Sequence, residues 1–205
     1  METLPMFPLG LVAYPGSVIP LRLFEPRYLA LLADLQEGDG EFGIVLIERG
    51  VAEAGGGEYF GIGSMVRTVA SAPLDDGSVM LVVVGTERIR VVDWLVDDPY
   101  PRARIERMPS PANTDMLGSP IEECRRELTK VLALASELGA DVGDARPELS
   151  DDPLVALYEI ARIAPIQELD QQRILESGDS IEAARILTDE LRSVATMLEI
   201  QLTDG

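Results

Sequence analysis

The chain opens on apolar residues broken repeatedly by proline: Leu4-Pro5-Met6-Phe7-Pro8-Leu9, then Tyr14-Pro15-Gly16, Ile19-Pro20-Leu21 and Phe24-Glu25-Pro26-Arg27-Tyr28. Proline fixes φ and has no backbone donor, so strands that carry it belong at a sheet edge or a barrel rim. Pro15-Gly16 is a turn signal, and Pro26 suits the first turn of a helix, where a missing N–H costs nothing. The segment predicts strand, tight turn, strand, helix.

The next residues continue in the same style. Pro26 to Leu35 places Tyr28, Leu29, Leu31, Leu32 and Leu35 on a helical stripe closed by Gly38. Phe42 to Ile47 is a continuous apolar run of strand length. Gly55-Gly56-Gly57 marks a flexible tip, and Gly61 to Val69 reads as a strand. Pro73-Leu74-Asp75-Asp76-Gly77 is a hairpin loop, followed by a strand over Val79 to Val84. After Gly85-Thr86, residues 88–91 alternate and lead to Trp94, and residues 102–107 alternate again. Short strands with turns between them predict a small barrel or sandwich.

Met108 to Ser119 holds two prolines, an Asn and a Gly, and beyond it the period lengthens to about 3.6. Ser119-Pro120-Ile121-Glu122 has the pattern of a capping box. The helix it opens carries Ile121, Cys124, Leu128, Val131, Leu132, Ala135 and Leu138 on one face and ends at Gly139. Asp152-Pro153 opens a second helix that Pro165 stops. A short helix spans Glu168 to Leu175, and Asp179-Ser180 caps a last long one. The expected class is α+β: a β domain over residues 1–108, a linker over 109–118 and a helical bundle over 119–205.

Composition removes whole classes of chemistry. The chain has no histidine, the commonest metal ligand and the commonest general base near neutral pH. Its one cysteine excludes an internal disulfide and a multi-cysteine zinc site. Its one lysine, Lys130, must serve any Ser-Lys or Schiff-base scheme. With 36 acids against 17 bases the net charge is −19, which repels a phosphate backbone. No apolar run reaches the roughly 18 residues that span a bilayer, and the N-terminus has no signal-peptide pattern, so the expected location is the cytoplasm. An excess of arginine over lysine fits a GC-rich bacterial genome.

The order of these pieces resembles the N-terminal domain of the Lon protease family. The resemblance rests on several segments: the Leu4–Tyr28 opening, Phe60-Gly61-Ile62-Gly63-Ser64-Met65-Val66, and Asp76-Gly77-Ser78-Val79 leading into Val83-Val84-Gly85-Thr86-Glu87-Arg88. It extends to the segment from Pro165 to Glu176 and the Ala-Ala-Arg-Ile-Leu helix after it. The resemblance implies a PUA-like β domain followed by a helical bundle that recognises unfolded or degron-bearing polypeptides. Any chemistry would fall to a partner protein, a protease or a chaperone, and no cofactor is implied. The sequence has no G-x-x-x-x-G-K-[ST] loop, and Lys130 sits on an amphipathic helix without Ser-Lys protease context. The chain therefore reads as a stand-alone, non-catalytic recognition module, to which a peptidase S16 family name applies by similarity only.

The remaining motifs point to less. Gly61-Ile62-Gly63 leads into a strand rather than a helix, which is not a dinucleotide fingerprint. Cys124 lies on an apolar stripe and reads as an inert buried thiol. Arg88, Arg90, Arg102, Arg104 and Arg107 suggest an RNA-binding regulator as the alternative function, but acids interleave them and no paired aromatics stand ready to stack on bases. A polypeptide-binding module needs exposed apolar side chains. The candidates, expected in loops, are Met6, Phe7, Leu11 and Tyr14 near the first turn, Tyr59 and Phe60 after the glycine tip, and Leu74 in the hairpin. The binding surface is expected on the β domain or in the groove between it and the bundle.

Overall fold

The computed structural model describes residues 2–49, 58–142 and 147–204; the Gly55–Gly57 tip lies outside them. The fold is α+β, with strands first and helices after. Six strands, β1 (Glu2–Leu9), β2 (Val18–Leu23), β3 (Glu41–Arg49), β4 (Glu58–Pro73), β5 (Val79–Trp94) and β6 (Arg102–Arg107), form one sheet with α1 (Pro26–Glu37) against it. The chain divides into two compact units after Ser110.

The sheet order is β2-β5-β4-β3-β1-β6, and β5 also pairs with β6. That extra pairing closes β5, β4, β3, β1 and β6 into a barrel, leaving β2 as an appended edge. Long strands make the closure possible. The N-terminal half of β5 pairs with β2 through Val79–Val84, and its C-terminal half pairs with β6 through Ile89–Trp94. β1 is shared in the same way: Glu2–Pro5 pair with β6 antiparallel, and Met6–Leu9 pair with β3 parallel.

Strand alternation sorts the core into two clusters. Leu4, Met6, Val45, Met65, Ile89, Ala103 and Ile105 fill the barrel. Gly43 makes room there, since a Cβ on it would lie 2.5 Å from the Met6 sulfur. Phe7, Ile44, Val66, Leu81 and Val83 point outward and are covered by Tyr28, Leu31, Leu32 and Leu35 of α1 and by Ile19, Leu21 and Leu23 of β2.

One expectation about the strands is corrected here. The strand over Val79–Val84 does not stop at Gly85-Thr86, because β5 runs unbroken for 16 residues. Gly85 serves instead as the contact point of the Tyr14–Ser17 turn: a Cβ there would lie 2.1 Å from the Tyr14 carbonyl oxygen. That turn has Gly16 at φ +83° and a Ser17 N–H bond to Tyr14 C=O of 3.1 Å, but it does not join a hairpin, since β2 pairs with β5 and not with β1.

In the second unit, α2 (Gly118–Glu137), α3 (Pro153–Ile163), α4 (Glu168–Glu176) and α5 (Ser180–Asp204) pack as a bundle. The Asp152 carboxylate accepts from the Leu154 and Val155 amides and caps α3, and Asp179 accepts from Ile181 and Glu182 at the start of α5. The Ser119–Glu122 capping box does not form. A 3-10 turn over Thr114–Met116 leads straight into α2, fully buried Leu117 occupies the cap position, and Ser119 is already helical. Residues 111–118 thus belong to the second unit, where Ala112 bridges Asp179.

Candidate functional site

The proline-rich opening builds a groove in the first unit. Phe7, Pro8 and Leu9 of β1 form one wall, and Pro20 to Leu23 of β2 form the other. Phe24, Glu25 and Tyr28 close its end, and the cavity measures about 220 Å³. The floor is rigid: the Phe7 and Tyr28 rings meet edge to face with centroids 4.1 Å apart, and Phe42 stands 6.3 Å beyond Phe7. Phe24 stands at the lip with 69% of its surface exposed.

The electrostatics of the groove are neutral. Burial pushes the Tyr28 phenol up to about 12, so it stays protonated at any physiological pH. The Arg27 guanidinium lies 4.6 Å from the Tyr28 ring centroid and pairs with Glu25 at 2.8 Å. Arg22 is drawn to Asp76 and Ser78 of the β4–β5 hairpin. An aromatic-floored cleft whose charged lining residues, Arg22 and Glu25, are each matched by an opposite charge suits an apolar side chain.

The residues expected from sequence are placed differently from one another. Met6, Phe7 and Tyr14 are buried, at 0%, 7% and 0% exposure, which corrects their expected display in loops. Met6 and Phe7 lie on β1, which is packed on both faces, so one points into the barrel and the other under α1. Only Phe7 of these three lines the groove. Leu11 and Leu74 are exposed. Tyr59 and Phe60 are half-buried on β4 rather than in a loop, and Tyr59 packs on Trp94 at 4.8 Å. They begin β4 while Leu74 follows its last residue, so these side chains form no single site.

Sequence reasoning passed over Pro8, Leu9, Pro20, Leu23 and, above all, Phe24 as groove lining; of these Pro20 and Phe24 are exposed. The signal was present in the alternation. Ile19, Leu21 and Leu23 point inward on β2, so an aromatic directly after Leu23 falls off the buried face.

Other chemistry finds little support in the geometry. Arg107 is held by Glu2, Glu87 and Glu41 at 3.0, 2.6 and 3.6 Å, and Arg104 by Asp93 at 3.4 Å. Arg88 is buried and donates to the Pro109 carbonyl at 2.8 Å. Three of the five arginines considered for RNA are therefore already engaged. Lys130 pairs with Glu199 at 2.8 Å, which holds its ammonium above the ordinary lysine range, opposite to what a general base requires. Burial raises the Cys124 thiol and keeps it un-ionised. No helix among the described residues is long and apolar enough to cross a membrane.

The sequence model of the ATP-dependent protease La (LON) substrate-binding domain matches residues 3–193. The chain belongs to this family. Curated relatives include Lon protease of Cytophaga hutchinsonii, 23% identical over 98% of this chain and 25% of that protein, and Lon protease 2 of Myxococcus xanthus, 26% identical over 97% and 24%. The chain thus spans about a quarter of the length of the curated relatives it matches. A Lon N-terminal domain protein from Xanthomonas campestris superposes with a TM-score of 0.66 at 26% identity, covering 91% of this chain and 97% of that one. The N-terminal domain of the Mycobacterium avium complex Lon protease gives 0.64 at 17% identity over 93% and 98%, a likeness of fold alone.

Proposed function

We propose that this chain binds exposed apolar segments of other polypeptides through its β unit and performs no chemistry on them itself. The observation that carries the reading is the neutral groove between β1 and β2, with Phe24 exposed at its lip, in a chain of a family described as substrate-binding. Burying a partner's apolar side chain against Phe7, Tyr28 and Phe24 supplies the affinity, and the groove is large enough for one such anchor. Partners are unfolded or degron-bearing polypeptides, with a protease or chaperone acting downstream. Calorimetric titration with permanently unfolded, carboxymethylated model proteins tests the reading. Saturable binding that weakens when Phe24 is truncated supports it, and no saturable binding to any polypeptide ends it.

A further inference from the structure

From Val79 to Val84, β5 carries an apolar residue at every position. A strand with one face in water alternates apolar with polar residues, whereas an unbroken apolar run is the pattern of a strand covered on both faces. Here one face is covered. Leu81 and Val83 are fully buried in the cluster under α1, while Met80, Val82 and Val84 alternate with them and stay half-exposed. Neighbouring strands extend the uncovered face in register: Val18 opposes Val84, and Pro20, Val82 and Ala70 form a row across β2, β5 and β4. Val18 is 58% exposed, and Ala70 is exposed too. Among the described residues β2 pairs with β5 alone and β4 past Arg67 has no partner in β3, so both sides of this three-stranded stretch are open there.

We infer that this outer face of β2, β5 and β4 docks an apolar segment of another polypeptide that carries lysine or arginine beside its apolar residues. The inference rests on the polypeptide-recognition reading and names its substrate class. Charge selects the occupant. Residues 1–108 hold 16 acids and 9 arginines. The two arginines that border the face are already matched, Arg22 by Asp76 and Arg67 by Glu41 at 2.7 Å. Asp39 and Asp75 flank the free stretch of β4. Asp39 precedes Gly40, whose carbonyl accepts the Thr68 N–H at 3.0 Å, and Asp75 lies in the hairpin after Leu74. Neither forms an ion pair among the described residues. A second copy would bring the same excess of negative charge and a nucleic acid would bring phosphates, while a basic apolar segment brings the complement.

The test titrates the full chain, by fluorescence anisotropy, with short labelled peptides of one apolar sequence flanked by Lys or by Glu. The Lys-flanked peptide is expected to bind about ten-fold tighter, with the preference shrinking at high salt. V18Q/A70Q, which removes apolar surface at exposed positions without changing charge, is expected to weaken it about ten-fold with Trp94 fluorescence and melting unchanged; should that variant unfold, V18S/A70S reads the same face. D39N/D75N is expected to erase the preference for Lys flanks. If V18Q/A70Q binds peptides and unfolded proteins like the parent, the face is not the dock and the inference falls, while polypeptide recognition stands. If the parent binds no polypeptide, that reading falls and takes the inference with it. A dimer in light scattering that V18Q/A70Q dissolves, or an RNA oligonucleotide that V18Q/A70Q releases, also overturns the inference.

Discussion

Gly85→Ala isolates one contact on which the whole β2 region depends. The new Cβ would lie 2.1 Å from the Tyr14 carbonyl oxygen, 2.9 Å from its carbon and 3.3 Å from Pro15 Cα. All three are backbone atoms, so no side chain can rotate away, and the turn must retreat by more than about 1 Å to reach ordinary contact distance. Such overpacking costs about 1–3 kcal/mol. The turn is also pinned by Gly16 N–H to Gly85 C=O and by Gly85 N–H to Ser17 C=O, both 2.9 Å, and weakening them adds about 1–2 kcal/mol. Against this, replacing glycine by alanine restricts the unfolded chain and contributes about 0.4–1 kcal/mol of stability. The net loss is about 1–4 kcal/mol. Gly61→Ala is the control: it lies in β4 with nothing within 4 Å of its Cβ, so only the entropic gain applies. Urea unfolding followed by the fluorescence of Trp94, the single tryptophan, reports on this unit alone. A G85A midpoint no lower than that of G61A would refute the argument.

Three further outcomes are expected. Phe24→Ala should change stability by less than about 0.5 kcal/mol, because the ring is mostly exposed, yet weaken binding of an unfolded polypeptide by about 1 kcal/mol or more in calorimetry. Asp152→Ala should cost the helical unit about 1 kcal/mol in urea unfolding followed by far-UV dichroism, since its carboxylate caps α3 by accepting from the Leu154 and Val155 amides. The Ser78 hydroxyl and amide, with Arg22, hold the Asp76 carboxyl at about 2, below its ordinary 3.8. A carboxyl depressed on folding stabilises above its unfolded value and loses that contribution as pH falls from about 4 to about 2, so an acid titration of Tm should lose part of its slope in that window in Asp76→Asn.

What was legible in the sequence was local. Pro26 and the Tyr28, Leu31, Leu32, Leu35 stripe define α1, and Asp152 and Asp179 announce the two helices they cap. What was not legible depended on partners far along the chain. Gly85-Thr86 looks like a strand break, because nothing local says that the Tyr14 carbonyl needs the space of a side chain there. Met6 and Phe7 look exposed beside prolines and turns, but β1 is covered by the barrel interior on one face and by α1 on the other. Ser119 has the sequence of a cap, yet burying Leu117 starts the helix earlier. The uncovered face of β5 falls between these cases: its unbroken apolar run is visible in the sequence, but which of its two faces lacks cover is a matter of topology.

The prolines themselves account for why a groove exists where it does. In the order β2-β5-β4-β3-β1, the free sides of β2 and β1 face each other across the cavity, and direct pairing between them would close it. The Ser17 carbonyl takes the Gly85 N–H, so by alternation Ile19, Leu21 and Leu23 address β5, and the backbone groups of Val18, Pro20 and Arg22 face outward. On β1, Met6 donates to Pro101 on the side away from β3, and Pro8, two residues on, faces the same way. Each wall therefore presents a proline to the gap, a carbonyl without its N–H. Closing the seam would leave acceptors paired with nothing, which a buried ladder does not tolerate. A residue that marks an edge thus keeps one open inside an otherwise closed sheet. What remains for a partner is the apolar floor of Phe7 and Tyr28, reached by a side chain rather than by an added strand.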